Sequence, residues 1–182
     1  MGQVRITGGS HRSRKITVAD QPGLRPTADR IRETLFNWLG QNLSGMRILD
    51  LYAGSGILAF ESASRHAAQV DCVDLNQQAI RQLQQNRELL AFDNIQVFRQ
   101  SAVEFLQHVH EPYDLLFLDP PFDSEEMNRI SVIIANQVRS TGWVYREYGV
   151  NQDITPMNEQ SWTLLKQKTA GQVCFELWQK ND

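Results

Sequence analysis

The sequence predicts an α/β protein: a mostly parallel seven-stranded sheet with an antiparallel C-terminal hairpin, plus a small N-terminal β-ribbon and helix extension. Three observations carry this. From Met46 onward apolar strand-like runs alternate with helical periodicity, the first of these strands runs into a glycine-rich turn, and two last strand-like runs face each other across "TAG". Strands spaced by helices make right-handed crossovers, so the sheet is parallel and covered on both faces. At 182 residues the chain suits one domain of ordinary size with a sizeable core.

The elements follow in order. Residues 3–18 alternate in strand fashion around "GGSHRS", whose adjacent glycines tolerate the positive φ of a turn, so a hairpin or bent ribbon is expected. "GLRPT" breaks the chain before "ADRIRETLFNWL", where Ile31, Leu35, Phe36 and Leu39 share one helical face. Residues 1–44 thus form an extension and residues 45–182 the main domain. There "RILDLY" leads through "AGSG" to a helix near 57–66, and "QVDCVDL" to a helix over "QQAIRQLQQNRELL". "IQVF" precedes the helical "AVEFLQHV", "YDLLFLD" precedes "PPFDSEE" and a helix over "MNRISVIIANQV", and "WVYREY" is a fifth strand. "SWTLLKQK" and "QVCFELWQ" form the hairpin, an antiparallel edge.

Composition narrows the function classes. Charged residues at 21% and hydrophobic ones at 41% are those of a soluble globular protein, and the apolar runs are too short to span a bilayer. The N-terminus carries no apolar signal-peptide core, so a cytoplasmic location is expected. Cys72 and Cys174 sit in strand contexts without metal-ligand spacing and are expected to be buried thiols, and no metal is expected. The net charge of −3 hides an asymmetry: residues 1–32 hold seven Lys and Arg against two Asp, leaving the remainder at −8. A basic head on an acidic body suits a polyanion contact confined to one end, or else a merely solvated face.

Chemistry concentrates at strand ends. Gly54 and Gly56 follow a strand ending at Asp50 and open a helix, so a ligand can approach the backbone and meet free N–H groups. Asp74 closes the next strand, where an acid can accept both hydroxyl hydrogens of a ribose. With Ala59 these glycines also read as G-x-G-x-x-A, so a dinucleotide site competes with S-adenosylmethionine (SAM). Asp50, four residues before Gly54, would repel a phosphate yet suit the cationic methionyl end of SAM. "DLLFLDPPF" favours the same side of the choice. Asp119 and the Pro120 carbonyl face the same crevice, the two prolines stiffen the turn, and Phe122 offers a flat apolar face. Two acceptors beside an aromatic platform suit a planar substrate bearing an –NH₂ group. The plainer alternative is a strand-terminating turn with a solvated acid.

These residues resemble the class I SAM-dependent methyltransferases, Rossmann-like enzymes that modify amino nitrogens through an Asp-Pro-Pro-aromatic motif. In chain order "RITGGSHRSRK", "GLRPTADRIRETLFNWL", "LDLYAGSG", "DPPF" and "AGQVCFELW" look, across nearly the whole chain, like the RsmD family of small-subunit ribosomal RNA (guanine-N2) methyltransferases. By that resemblance Asp50, Ala53, Gly54, Gly56, Asp74, Leu75, Ser101 and Ala102 would line the SAM pocket, and Asp119, Pro120 and Phe122 would hold the base. Arg5, His11, Arg12, Arg14, Lys15 and Arg25 would meet RNA, as naked RNA or as an assembly particle, and the protein would act as a monomer. The chain departs from the family pattern at Asn76, which has lost a charge, at Phe60 in place of Gly, at Ser101 in place of Asp or Asn, and in "VYREYG". A related enzyme acting on an adenine amine or a glutamine amide, a nucleotide-dependent oxidoreductase, and a non-catalytic RNA-binding assembly protein are the other readings.

Overall fold

Runs such as Tyr113–Leu118 are apolar on both sides, so the strands they form must be covered on both faces. The computed structural model, which describes residues 2–18, 29–121 and 124–182, places them accordingly. Strands β3 (Arg47–Asp50), β4 (Gln69–Asp74), β5 (Ile95–Arg99), β6 (Tyr113–Leu118), β7 (Val138–Gly149), β8 (Trp162–Ala170) and β9 (Val173–Lys180) form one seven-stranded sheet in the order β5-β4-β3-β6-β7-β9-β8. The first five of that order run parallel, and β9 is antiparallel to β7 and to β8. The order reverses at β3 and β6, which places a crevice at their carboxyl ends.

Strand alternation divides the core in two. Ile48, Cys72, Leu115, Phe117, Tyr145 and Phe175 point to one face, beneath α1 (Asp29–Leu39), α2 (Ile57–Ser64) and α3 (Gln77–Leu89). Leu49, Val73, Leu116, Leu118, Val144 and Trp178 point to the other, beneath α4 (Ala102–Gln107) and α5 (Ser124–Ile133). Two stretches differ from the sequence expectation. The helix after β6 tightens into a 3-10 turn at Ile134–Asn136, and β7 starts at Val138 rather than Trp143. A register shift explains the extra length: Val138 pairs with Tyr113, and pairing resumes only at Trp143 with Leu115.

The extension packs onto the main domain rather than standing apart. β1 (Gly2–Arg5) and β2 (Lys15–Val18) pair antiparallel, and Ile6, Ile16, Val18, Leu35 and Phe36 join the same apolar cluster as the sheet. Polar contacts fix the ribbon to α2: the Ser10 N–H donates to the Ser64 carbonyl (2.8 Å), the Ser64 hydroxyl to the Gly8 carbonyl (2.6 Å), and the Thr7 N–H to Glu61 Oε1 (2.7 Å). Gly9 has φ 76°, and a Cβ there would fall 1.8 Å from the Ser64 carbonyl oxygen, so only glycine fits. Both cysteines are free and buried. Among the described residues no helix is long and apolar enough to cross a membrane.

Candidate active site

The turn after β3 is built by backbone geometry. The Ala53 N–H donates to the Val73 carbonyl (2.9 Å), tying the turn to β4, and the Gly56 N–H donates to the Ala53 carbonyl (2.6 Å). Gly54 and Gly56 both have positive φ (50° and 76°). A Cβ on Gly56 would meet Leu83 of α3 at 2.2 Å and the Phe60 ring at 2.9 Å. Phe60 is a fully buried packing residue whose ring also lies near Phe92 (5.7 Å).

Asp74 orders this turn. The Gly54 N–H donates to its Oδ2 (2.8 Å) and the Asn76 N–H to its Oδ1 (2.8 Å). Each carboxylate oxygen keeps a second lone pair for hydroxyl donors. Next to it Leu75 is 64% exposed, an apolar face offered at the mouth of the crevice. Asn76 and Ser101 have local tasks, and the serine-to-glutamate spacing of "SAVE" is the sequence signal for the second of them. The Asn76 side chain caps α3, accepting from Gln78 N–H (2.8 Å) and Ala79 N–H (3.1 Å). Ser101 caps α4 in a reciprocal box: its hydroxyl accepts from the Glu104 N–H (3.2 Å) and donates to Glu104 Oε2 (2.8 Å), while the Ser101 N–H donates to that same oxygen (3.1 Å). These bonds hold the exposed Glu104 carboxyl below its usual range. Ala102 follows as the first, buried residue of α4.

Acids gather where β3, β6 and β7 end. Asp50 is 3% exposed and its carboxyl is raised to about 7, first by burial and then by the Asp74 charge, with the Ala59 N–H pulling it back down. Asp119 is pushed well above its usual range by desolvation and by the charges of Glu147 and Asp50. Glu147, buried at the end of β7, accepts from the Tyr145 hydroxyl (2.7 Å). Register explains the grouping. Asp50 pairs with Phe117 and Leu118 with Arg146, so Asp119 and Glu147 are neighbours one step further, and alternation puts all three acids on one face. Glu147 was not among the residues expected from the sequence. Its signal was an acid inside the apolar run "WVYREYG", in phase with Tyr145. Nor was a link across the crevice foreseen: the Tyr52 hydroxyl donates to Glu126 Oε1 of α5 (2.6 Å), joining the glycine turn to the helix that follows the Pro-Pro loop.

The structure brings Asp50, Ala53, Gly54, Gly56, Asp74, Leu75, Asp119 and the buried Pro120 to one sheet edge. Phe122 and Arg25 lie outside the described residues. On the ribbon Arg5, Arg12, Arg14 and Lys15 are exposed, and Arg5 pairs with Lys15 across the strands, so both project from the outer face. His11 is partly buried: its ring stacks near Phe92 (4.1 Å) and its Nε2 meets the Leu90 carbonyl (3.0 Å), so it also fastens the ribbon to the body. Arg32, counted in the basic head, is withdrawn from the surface entirely. It donates to the Arg5 carbonyl (2.9 Å) and Asp29 (2.9 Å) and faces Glu61 (3.5 Å). Chemically the edge can hold a nucleoside through Asp74 and Leu75, a cation through the acid group, and an amine through Asp119.

Comparison with known proteins agrees with this geometry. The family described as Conserved hypothetical protein 95 matches residues 4–179. The ribosomal RNA small subunit methyltransferase D of Escherichia coli strain K12 is 38% identical over 98% of this chain and 91% of its own length. The protein of the same name from Haemophilus influenzae is 39% identical over 98% of this chain and 94% of its own. A solved Escherichia coli structure described as a methyltransferase superposes with a TM-score of 0.90 at 34% identity, covering 99% of both chains. Matched over nearly its full length, the chain belongs to the family of the ribosomal RNA small subunit methyltransferase D proteins.

Proposed function

We propose that this protein transfers a methyl group from SAM to the exocyclic N2 of a guanine in small-subunit ribosomal RNA. The observation that carries the reading is the placement of Asp119, at the end of β6, on the same edge and face as Asp50 and beside the glycine turn held by Asp74. The residues present fit SAM: Asp74 has lone pairs for two ribose hydroxyls, Leu75 offers an apolar face to the adenine, and the acid group around Asp50 favours the cationic methionyl end. When bound, SAM supplies an electrophilic methyl group on a sulfonium.

The chain's own residues do the rest. The guanine N2 lone pair is delocalised into the ring. Asp119 and the Pro120 carbonyl accept its two hydrogens, which localises that lone pair and aims it, and fixed aim supplies much of the rate. Asp119 performs this as a carboxylate. Its raised affinity for a proton also suits it to take up the proton the amine loses after transfer. A positive charge beside Asp50 and Asp119 draws both carboxyls back toward the ionised form. The base must be unstacked to reach this edge, at roughly a few kcal/mol, and stacking on Phe122 would return about 1–3 kcal/mol. The exposed Arg5, Arg12, Arg14 and Lys15 supply phosphate contacts.

The test is labelled-methyl transfer to unmodified small-subunit RNA and to assembled particles, followed by digestion and identification of the methylated nucleoside. N2-methylguanosine is the expected product. Label on adenosine or on protein would replace the guanine reading, and no transfer despite SAM binding would point to a non-catalytic RNA-binding role.

A further inference from the structure

β8 forms the open edge of the sheet, and seven consecutive residues of it, Thr163–Thr169, are exposed. Its only charged side chains are Lys166 and Lys168. Edge strands carry lysines to discourage pairing with other chains. A lysine serving that end alone can sit on either face and at any level. These two occupy one face, and the register says which. Leu118 pairs with Arg146, so Asp119 stands beside Glu147; Glu147 pairs with Phe175, and Phe175 with Lys168. Asp119, Glu147, Phe175 and Lys168 therefore form one row across four strands, with side chains on the same face. Three strand spacings put the Lys168 Cα roughly 14 Å from that of Asp119. Lys166, two residues along, shares the face, while Gln167 is turned to the other side and donates to Glu176 (2.9 Å).

Two further observations bear on this flank. Trp38 of α1 stacks on Phe175 at 5.1 Å, and the helical face that carries Trp38 also carries Thr34 and the exposed Arg30, spaced four residues apart. Among the described residues the ion pairs engage Arg32, Arg47, Arg65, Arg129, Arg139 and Arg146, and neither lysine of β8. The basic ribbon lies on the other side, tied to α2 and α3 by Ser64, Asn86 and Leu90.

We propose that Lys166 and Lys168 form a second RNA-binding surface, holding backbone phosphates of the single-stranded segment that flanks the target base, on the side opposite the ribbon. The inference rests on the methyltransferase reading above. Once a base is drawn out to Asp119, its chain neighbours must cross the surface to either side; Glu147 and Phe175 lie buried beneath α1, so on this flank a strand passes over the Trp38 cover and meets the exposed lysines of β8. The partner is RNA, because the reaction proposed above already brings RNA to this edge, and Lys166 and Lys168, two residues apart on one face, offer point charges to neighbouring phosphates.

The test replaces both lysines by Ala and measures RNA affinity against salt, methyl-transfer kinetics, and SAM binding by calorimetry, with folding checked by melting. With two phosphates of single-stranded RNA no longer neutralised, the salt slope should fall by ~1.4 and affinity at 0.15 M salt by roughly tenfold. The apparent KM for RNA should rise, with kcat at saturating RNA and SAM affinity unchanged. Should the Lys→Ala pair destabilise the edge, K166Q/K168Q keeps length and polarity and must give the same reduction. A folded, active double variant with the parent's RNA affinity and salt slope overturns the proposal and leaves the lysines as edge protection. If the parent itself methylates no RNA, the methyltransferase reading fails, and any weakening of RNA binding on the substitution still stands as evidence for the surface.

Discussion

Asp119 gives the sharpest residue-scale expectation. Asp119→Ala removes one acceptor for the amine and leaves Gly54, Gly56 and Asp74 untouched, so SAM should bind nearly as before while turnover falls by orders of magnitude. Asp119→Asn still accepts one hydrogen and should keep partial activity. Because burial and the Glu147 and Asp50 charges favour the protonated form, and transfer needs the carboxylate, parental activity should go on rising with pH above the range in which an ordinary carboxyl titrates, and the Asn variant's profile should be flatter. Full activity in a folded Ala variant would remove Asp119 from the chemistry. Asp50 makes a different prediction. Its carboxyl is raised from 3.8 to about 7, so the folded state keeps a proton that the unfolded chain loses. Stability from this group is present below pH ~4 and is lost as pH rises through ~7, a swing of roughly 4 kcal/mol. Asp50→Asn can still accept from the Ala59 N–H. Its melting temperature should fall less than the parent's between pH 5 and 8, while SAM binds more weakly. Parallel melting profiles would mean that another group titrates.

At the scale of elements, the loops at the crevice are set by helix starts. Gly56 begins α2 in a left-handed conformation, Asn76 caps α3 and Ser101 caps α4, so three successive helices begin beside the carboxyl ends of β3, β4 and β5. Asn76 and Ser101 are caps whose oxygens already accept helix N–H groups. Ser101→Ala should therefore cost about 1 kcal/mol, lowering the melting temperature by roughly 2–4 °C, with little change in SAM affinity. Ser101→Asp keeps a capping oxygen but places a second carboxylate against Glu104, so its gain in SAM affinity, if the adenine amine is in reach, should come with no gain in stability. Calorimetry and melting on the pair separate capping from cofactor binding: a large drop in SAM affinity in Ser101→Ala would restore the cofactor role.

For the molecule as a whole, the extension is held through a buried charge cluster. Arg32 of α1 and Arg65, at the end of α2, both pair with Glu61; Arg65 also donates to Thr7 (3.2 Å) and lies over the Phe36 ring at 4.2 Å. Truncating one partner leaves charge buried and uncompensated. Glu61→Ala should destabilise the protein by about 3–5 kcal/mol and loosen the ribbon, seen as faster amide exchange at Thr7 and His11, because the Thr7 N–H loses its acceptor. Unchanged exchange there would mean that the apolar packing of Ile6 and Ile16 holds the ribbon alone. By contrast, neutralising the exposed Arg12, Arg14 and Lys15 together should leave stability almost unchanged, weaken RNA binding, and flatten its salt dependence by up to ~0.7–0.9 for each phosphate no longer neutralised. Equal binding in parent and triple variant would reduce the ribbon to a solvated face.

Features that obey local rules could be read from the chain before it was folded. Period-2 and period-3.6 patterns marked the strands and helices, because a side chain's face depends on its own backbone repeat. The positive-φ turn at Gly54–Gly56 and the strand ends at Asp50, Asp74 and Asp119 were legible for the same reason: glycine and a terminating acid announce themselves within a few residues. Whatever depends on which strands become neighbours emerged only with the folded chain. Glu147 joins Asp119 and Asp50 because β6 lies between β3 and β7, with residues far apart in the chain brought level by register. Arg32 reads as surface charge in the sequence, and only the packing of α1 against α2 puts Glu61 beside it and makes its burial tolerable. Ser101 reads as a cofactor position by resemblance, yet its cap on α4 is local and carried by the serine-to-glutamate spacing of "SAVE"; what the fold alone decides is which acids from separate strands come level at the edge, because strand order and register set that.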